Sequence, residues 1–195
     1  MADVKITYTE EFKNLGHLML DLETMGTRPG CAIVSIGAVE FDIETGKFGR
    51  HFYERVELQS CLDVGLFVEA HTVYWWMQQS EAARKEIYNP DNRIDLHTAL
   101  TKLGSFMADL EVFYIWGNGA SFDFGILQAA VYASGYKKVP WNFRLERDVR
   151  TITMIAPEMK QSMPFCGTVH NALDDCIHQI KYVSEIWKTH IKKKL

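Results

Sequence analysis

Residues 16–23 read GHLMLDLE, a short apolar run that closes on two acids two positions apart. An apolar run of this length, bounded by turn residues, reads as a buried strand. Side chains alternate along a strand, so Asp21 and Glu23 point to the same face. Two carboxylates side by side repel each other and are costly to bury without a cation. Taken alone, the pair also fits a strand end that has simply reached water. Two further strands follow, CAIVSIGAVEF over 31–41 and KFGRHFYERV over 47–56, joined by the turn Glu44-Thr45-Gly46. The chain therefore opens with a three-stranded meander.

Helical texture comes next. Short helices are predicted over 73–79 and 80–88, the second with Ser80 as its N-cap. Residues 95–110 carry apolar side chains at Leu96, Leu100, Leu103, Met107 and Leu110 behind an Asp95 cap. VFYIW over 112–116 is a further buried strand. Residues 121–134 form a helix that Gly135 stops, with Ser121 a fitting N-cap, and 173–192 form the last helix. Asn142 to Val149 is the best remaining stretch for a fifth strand. Strands first, then helices around one more strand, predict an α/β or α+β fold with a mixed sheet covered by helices.

The bulk properties bound the function. The chain has 195 residues, 47% of them hydrophobic, which suits one domain over 1–195. Net charge is -4, from 21 basic and 25 acidic residues. A protein that works by coating phosphates is usually basic, so a simple DNA-coating module is disfavoured. The longest apolar runs, such as Trp75-Trp76-Met77, are far short of a membrane span. Residues 1–11 hold Asp3, Glu10 and Glu11 and no apolar leader segment, so a cytoplasmic protein is expected. Cys31, Cys61, Cys166 and Cys176 form no CxxC pair and read as reduced thiols. The lysines at 192–194 are expected to complement the last helix dipole.

Three more acids and one histidine share the character of Asp21 and Glu23. Asp123 follows the strand at 112–116 and the loop Gly117-Asn118-Gly119-Ala120, whose glycines let a ligand approach the backbone. His170, Asp174 and Asp175 lie in HNALDDC, where the last helix begins. Each acid alone suits a first helical turn, where the dipole favours negative charge. The apolar stripe of the last helix faces away from Asp174 and Asp175 about equally, so spacing does not choose between them. Acids at strand C-termini and helix N-termini converge on one edge of an α/β sheet, the usual place for ligands. Four carboxylates there suit two hard divalent cations and in-line displacement at phosphorus.

DLET at Asp21–Thr24, NGASFD ending at Asp123, and HNALDD from His170 to Asp175 resemble the three motifs of the DnaQ-like, or DEDDh, 3′–5′ exonucleases. In that pattern the histidine precedes the last acid by five residues, which selects Asp175. The wider wording (LDLETMGTRPGCAIVSIGAVEFD, YWWMQQS, WGNGASFD, RDVRT) is similar to the branch that holds the phage-type DNA exonuclease DexA and the bacterial exoribonuclease RNase AS. The resemblance implies an RNase H-like fold with a mixed five-stranded sheet. It implies two Mg²⁺ or Mn²⁺ ions on Asp21, Glu23, Asp123 and Asp175, with His170 as the base. It also places Thr24, Met25 and Gly26 beside the terminal nucleotide, with Met25 against the base. Trp75 and Trp76 are adjacent on a helix and cannot face the same way; one is core and the other, taken as Trp75, stacks on a base. Asn118 and Phe122 are candidate substrate contacts. Arg144, Arg147 and Arg150 reach substrate phosphates, a partner chain or solvent.

The expected function is a metal-dependent 3′–5′ exonuclease that releases 5′-mononucleotides, leaning to single-stranded DNA with RNA as the alternative. A non-catalytic nucleic-acid-binding domain and a small-molecule phosphodiesterase are the competing classes. Clustered acids would repel phosphate, which argues against binding alone. Relatives include dimers, and exposed aromatics and arginines would permit one.

Overall fold

The computed structural model describes residues 15–110 and 112–192. The reading of residues 1–11, and of Lys193 and Lys194, lies outside the described residues. Strands β1 (Gly16–Thr24), β2 (Ile33–Phe41) and β3 (Phe48–Val56) form the predicted antiparallel meander. They lead into α1 (Leu58–Asp63), α2 (Ala70–Met77), α3 (Glu81–Tyr88), the two-residue β4 (Arg93–Ile94) and α4 (Leu96–Ala108). The second half runs β5 (Val112–Gly117), α5 (Ala120–Ala133), β6 (Glu146–Asp148), α6 (Val149–Thr153), α7 (Pro157–Ser162) and α8 (Ala172–Ile186). A π-helical turn, Trp187–Ile191, extends α8. The sheet order is β4-β3-β2-β1-β5-β6, six strands rather than five. The extra strand is β4, whose two residues pair in parallel with the end of β3 and carry no periodic signal. No helix among the described residues is long and apolar enough to cross a membrane.

Strands β1 and β2 are buried on both faces, and β1 shows how. Leu18, Leu20 and Leu22 pack into one core with α4 and α5, while Met19 faces the other core with α6 and α8. Asp21 and Glu23 continue the Met19 face, beneath the start of α8. Across the β1–β2 ladder Asp21 sits opposite Gly37. A Cβ on Gly37 would lie 2.4 Å from the carbonyl carbon and oxygen of Ala172, so glycine is what lets the first turn of α8 rest on the sheet.

Helix starts follow the predicted caps where the cap is local. Ser80 Oγ accepts from Ala83 N at 3.2 Å and Asp95 Oδ1 from Thr98 N at 3.0 Å. Helix α5 differs. It begins at Ala120, not behind Ser121, because Asp148 reaches across from the end of β6 and accepts from Ala120 N at 2.6 Å. Lys192 is engaged with Glu44 at 2.7 Å.

Gly37→Ala should destabilise the protein by about 1–3 kcal/mol, the usual range for overpacking, because backbone, not a flexible tip, stands in the way. Urea unfolding monitored by circular dichroism measures it, and a shift below ~0.5 kcal/mol would show that α8 is free to move.

Candidate active site

Asp21 and Glu23 leave β1, Asp123 leaves the first turn of α5, and Asp175 leaves the first turn of α8. All of them, with His170, line one cavity of about 550 Å³ at the sheet edge. Ligand atoms of Glu23, His170 and Asp175 lie within 4.8 Å of one another. Asp21, Glu23 and Asp123 are buried, at 9%, 7% and 2% exposure. Among the described residues no lysine or arginine forms an ion pair with any of the four acids.

Burial governs their protonation, offset only in part by the charge of Arg150 at Asp123 and of Lys160 at Asp175. Burial first, then the neighbouring Asp123, Glu23 and Asp175 carboxylates, holds the Asp21 carboxyl well above the usual range. Burial, then Asp175 and Asp123, does the same to Glu23. Burial raises Asp123 to about 7 and Asp175 to about 6. Such a set fits hard divalent cations, which favour carboxylate oxygen and supply the missing charge. Asp123 Oδ2, Gln179 Oε1 and Thr72 Oγ1 are also buried without hydrogen-bond partners on the same wall, as a site made to ligate would have them.

His170 is held differently. Its φ is 64°, in the left-handed region that a non-glycine residue rarely adopts, and this turns the chain just before α8. Its backbone N donates to Asp175 Oδ2 at 3.0 Å, while Asn171 caps α8 through Leu173 N and Asp174 N. The ring packs edge-on to Trp75, with centroids 4.8 Å apart, and burial lowers its pKa. The imidazole is therefore neutral at pH 7, as a proton acceptor must be. The structure also separates the two adjacent acids. Asp174 turns back to accept from Thr168 N at 2.8 Å, and Asp175 faces the cavity.

Thr24, Gly26, Trp75, Asn118 and Phe122 line the cavity as well. Met25 does not. It is 6% exposed and packs in the core on the α4–α5 side, because its backbone is tied between Ala32 O and Glu69 N and its side chain turns inward. Trp75 is exposed on the wall, whereas Trp76 is core and donates Nε1 to Thr24 O at 3.0 Å. The three arginines part company: Arg150 lines the cavity, Arg147 lies over Tyr114 and Arg144 over Phe143.

Gln179 is a cavity residue that sequence reasoning missed. It is 3% exposed, and its Nε2 donates to Asp21 Oδ1 at 2.7 Å. The signal was present: Gln179 lies one helical turn after Asp175, a polar residue among Cys176, Ile177 and Ile180. Thr27, His71 and Thr72 also line the cavity and had no signal.

Comparison with known proteins supplies the family. Residues 16–187 match the model of the Rv2179c-like 3′–5′ exoribonuclease domain. The chain belongs to this family. It is a DnaQ-like 3′–5′ exonuclease with an RNase H-like fold. It is 26% identical over 194 residues to an exodeoxyribonuclease of Enterobacteria phage T4, covering 83% of this chain and 85% of the phage protein. Among solved structures, a 3′-exonuclease that recognises the 3′ end of histone mRNA stem-loop superposes with a TM-score of 0.60 at 12% identity, over 92% of this chain and 84% of that one. Exonuclease I from Methylocaldum szegediense gives 0.64 at 12% identity, over 90% of this chain and 41% of that longer one. At these identities the two superpositions show the fold alone.

The raised carboxyls predict a pH-dependent stability. A carboxyl whose folded pKa lies above its unfolded value stabilises the fold at low pH, and that contribution is lost as pH rises through the folded value. For Asp123 and Asp175 the ordinary value is 3.8 and the folded values are about 7 and 6, so the loss falls between about pH 4 and 7. In chelator, the melting temperature should drop from pH 5 to pH 8. Saturating Mn²⁺ should restore it, by about 2.7 kcal/mol at one hundred times its Kd. A melting temperature that ignores both pH and Mn²⁺ would remove the cation site.

Proposed function

We propose that this single domain hydrolyses the terminal phosphodiester at the 3′ end of a single-stranded nucleic acid, DNA in the first instance, with two Mg²⁺ or Mn²⁺ ions, and releases 5′-mononucleotides. The observation that carries the reading is the convergence of Asp21, Glu23, Asp123, Asp175 and His170 on one cavity, with no lysine or arginine among the described residues in an ion pair with any of the four acids. Asp21, Glu23, Asp123 and Asp175 would hold the ions. Bound there, the ions would supply a more acidic water and neutralise charge on the phosphate and the leaving 3′-oxygen. His170 accepts the proton of the attacking water at its imidazole nitrogen. Gln179 fixes one oxygen of Asp21 and leaves the other to ligate. Trp75 offers an exposed ring on which a terminal base stacks, an interaction worth ~1–3 kcal/mol. Thr24 and Gly26 border the terminal nucleotide, with the Thr24 hydroxyl bonded to Gly26 O at 2.7 Å to hold that turn in place. Asn118 and Phe122 complete the substrate wall.

RNA is the second reading, favoured by the family's description as exoribonucleases. The DNA reading rests on the phage exodeoxyribonuclease to which the chain is similar. The free thiols Cys31, Cys61, Cys166 and Cys176 suit a reducing, cytoplasmic interior. Self-association finds support in Phe143, 66% exposed beside the edge strand β6, and light scattering at micromolar concentration decides it.

His170→Ala should lower kcat by about 10²–10⁴-fold, the worth of a positioned base, while Mn²⁺ binding by calorimetry stays within a few fold of wild type. Equal turnover in that variant would take His170 out of the chemistry. Asp21→Ala should weaken Mn²⁺ binding and abolish turnover together.

Gels of 5′- and 3′-labelled DNA and RNA oligomers with Mg²⁺, Mn²⁺ or chelator test the whole reading. The expected result is a metal-dependent ladder shortening from the 3′ end, faster on DNA. A faster RNA ladder selects the second reading, and cleavage from the 5′ end or in chelator defeats both.

A further inference from the structure

A second hollow of about 490 Å³ adjoins the active-site cavity, and Arg150 lines both. Its walls come from α6, α7 and α8, with Arg150, Thr153, Met154, Lys160, Gln161 and His178 on them. No acidic side chain lines it among the described residues, in a protein of net charge -4. Its cations are held in no ion pair, although the charge of Arg150 acts on Asp123 and Asp148 and that of Lys160 on Asp175. Among the described residues neither Arg150 nor Lys160 takes part in an ion pair, and Lys160 Nζ only lies 5.8 Å from the Tyr182 ring centroid. Elsewhere near the active site, cations are neutralised. Arg28, next to the cavity-lining Thr27, is 2.8 Å from Glu69, and Arg55 is 2.9 Å from Glu86. His178 adds a buried Nδ1 with no hydrogen-bond partner, its ring wedged between Phe165 and Tyr182 at 4.8 and 5.3 Å.

Unpaired cations in a groove without acids are what a polyanion seeks, and continuity through Arg150 joins them to the place where a scissile phosphate would lie. We propose that this groove binds the sugar-phosphate backbone of the substrate strand on the 5′ side of the scissile bond, with Lys160 and Arg150 facing its next phosphates. The proposal rests on the exonuclease reading of the adjoining cavity and assigns the path of the uncleaved strand. Exposed Met154 gives that strand an apolar surface beside the phosphate contacts. Affinity would thus depend on substrate length, although the chemistry is confined to the last nucleotide.

The test uses the full chain with Lys160→Glu, an exposed position where charge reversal does not threaten folding. Two substrates are compared, a 12-mer single strand and the p-nitrophenyl ester of thymidine 5′-monophosphate, which has nothing upstream to place in the groove. KM for the 12-mer should rise at least tenfold with kcat within twofold, and KM for the ester should not move. The slope of log KM against log salt should become shallower by about 0.7 for each phosphate that the variant no longer neutralises. Lys160→Arg should keep wild-type values. An equal KM rise on both substrates, or none on either, overturns the groove. Fluorescence anisotropy of a labelled 12-mer in chelator keeps the two readings apart. Should the wild type cleave neither substrate, the exonuclease reading fails, while binding at least fivefold weaker in Lys160→Glu still supports the groove and equal binding removes it.

Discussion

Mutual repulsion among four desolvated carboxylates is the constraint around which this protein is arranged. Two like unit charges about 4 Å apart repel by ~4 kcal/mol at an effective dielectric of ~20. A domain is stable by only ~5–15 kcal/mol in all, so several such charges cannot be held together ionised without compensation. Asp21, Glu23, Asp123 and Asp175 are nevertheless brought to one cavity, and no lysine or arginine among the described residues pairs with them. The fold answers by raising their pKa values, a stopgap that a bound divalent cation would remove.

The scaffold that tolerates this is stiff where it meets the acids. Strand β1 is central, paired with β2 on one side and β5 on the other, and it is buried along both faces. Gly37 brings α8 down onto the sheet so that Asp175 faces Asp21 and Glu23. Asp148 accepts from Ala120 N at the start of α5 and from Thr151 N at the start of α6, joining the segments that carry Asp123 and Arg150. Gln179 then fixes one oxygen of Asp21. The strained backbone of His170 serves the same end: the imidazole reaches the cavity because the chain accepts φ 64° one residue before the α8 cap.

Much of this was legible in the chain. The meander, the longer helices and the acids at strand and helix ends follow from periodicity and from the expense of burying charge. Strand β4 and the short helices α1, α6 and α7 were not legible. Strand β4 exists only because the end of β3 offers it a partner, and α1, α6 and α7 are too short to show a period. The start of α5 was misplaced because its cap comes from 28 residues away, beyond any local signal. Met25 shows the reverse case. The resemblance set it against the terminal base, yet its side chain turns into the core, since backbone hydrogen bonds to Ala32 and Glu69 set its direction.

The sequence by itself determined which residues could do the chemistry: acids and a histidine placed where an apolar pattern ends, in an order shared with DnaQ-like exonucleases. Only the tertiary structure decided which of Asp174 and Asp175 meets the other acids by its geometry, which tryptophan is core, which arginine reaches the cavity, and that Gln179 braces Asp21. Each of these depends on the direction of one side chain against a neighbour far along the chain. A linear pattern carries residue type and spacing, and such directions are set only when strands and helices pack.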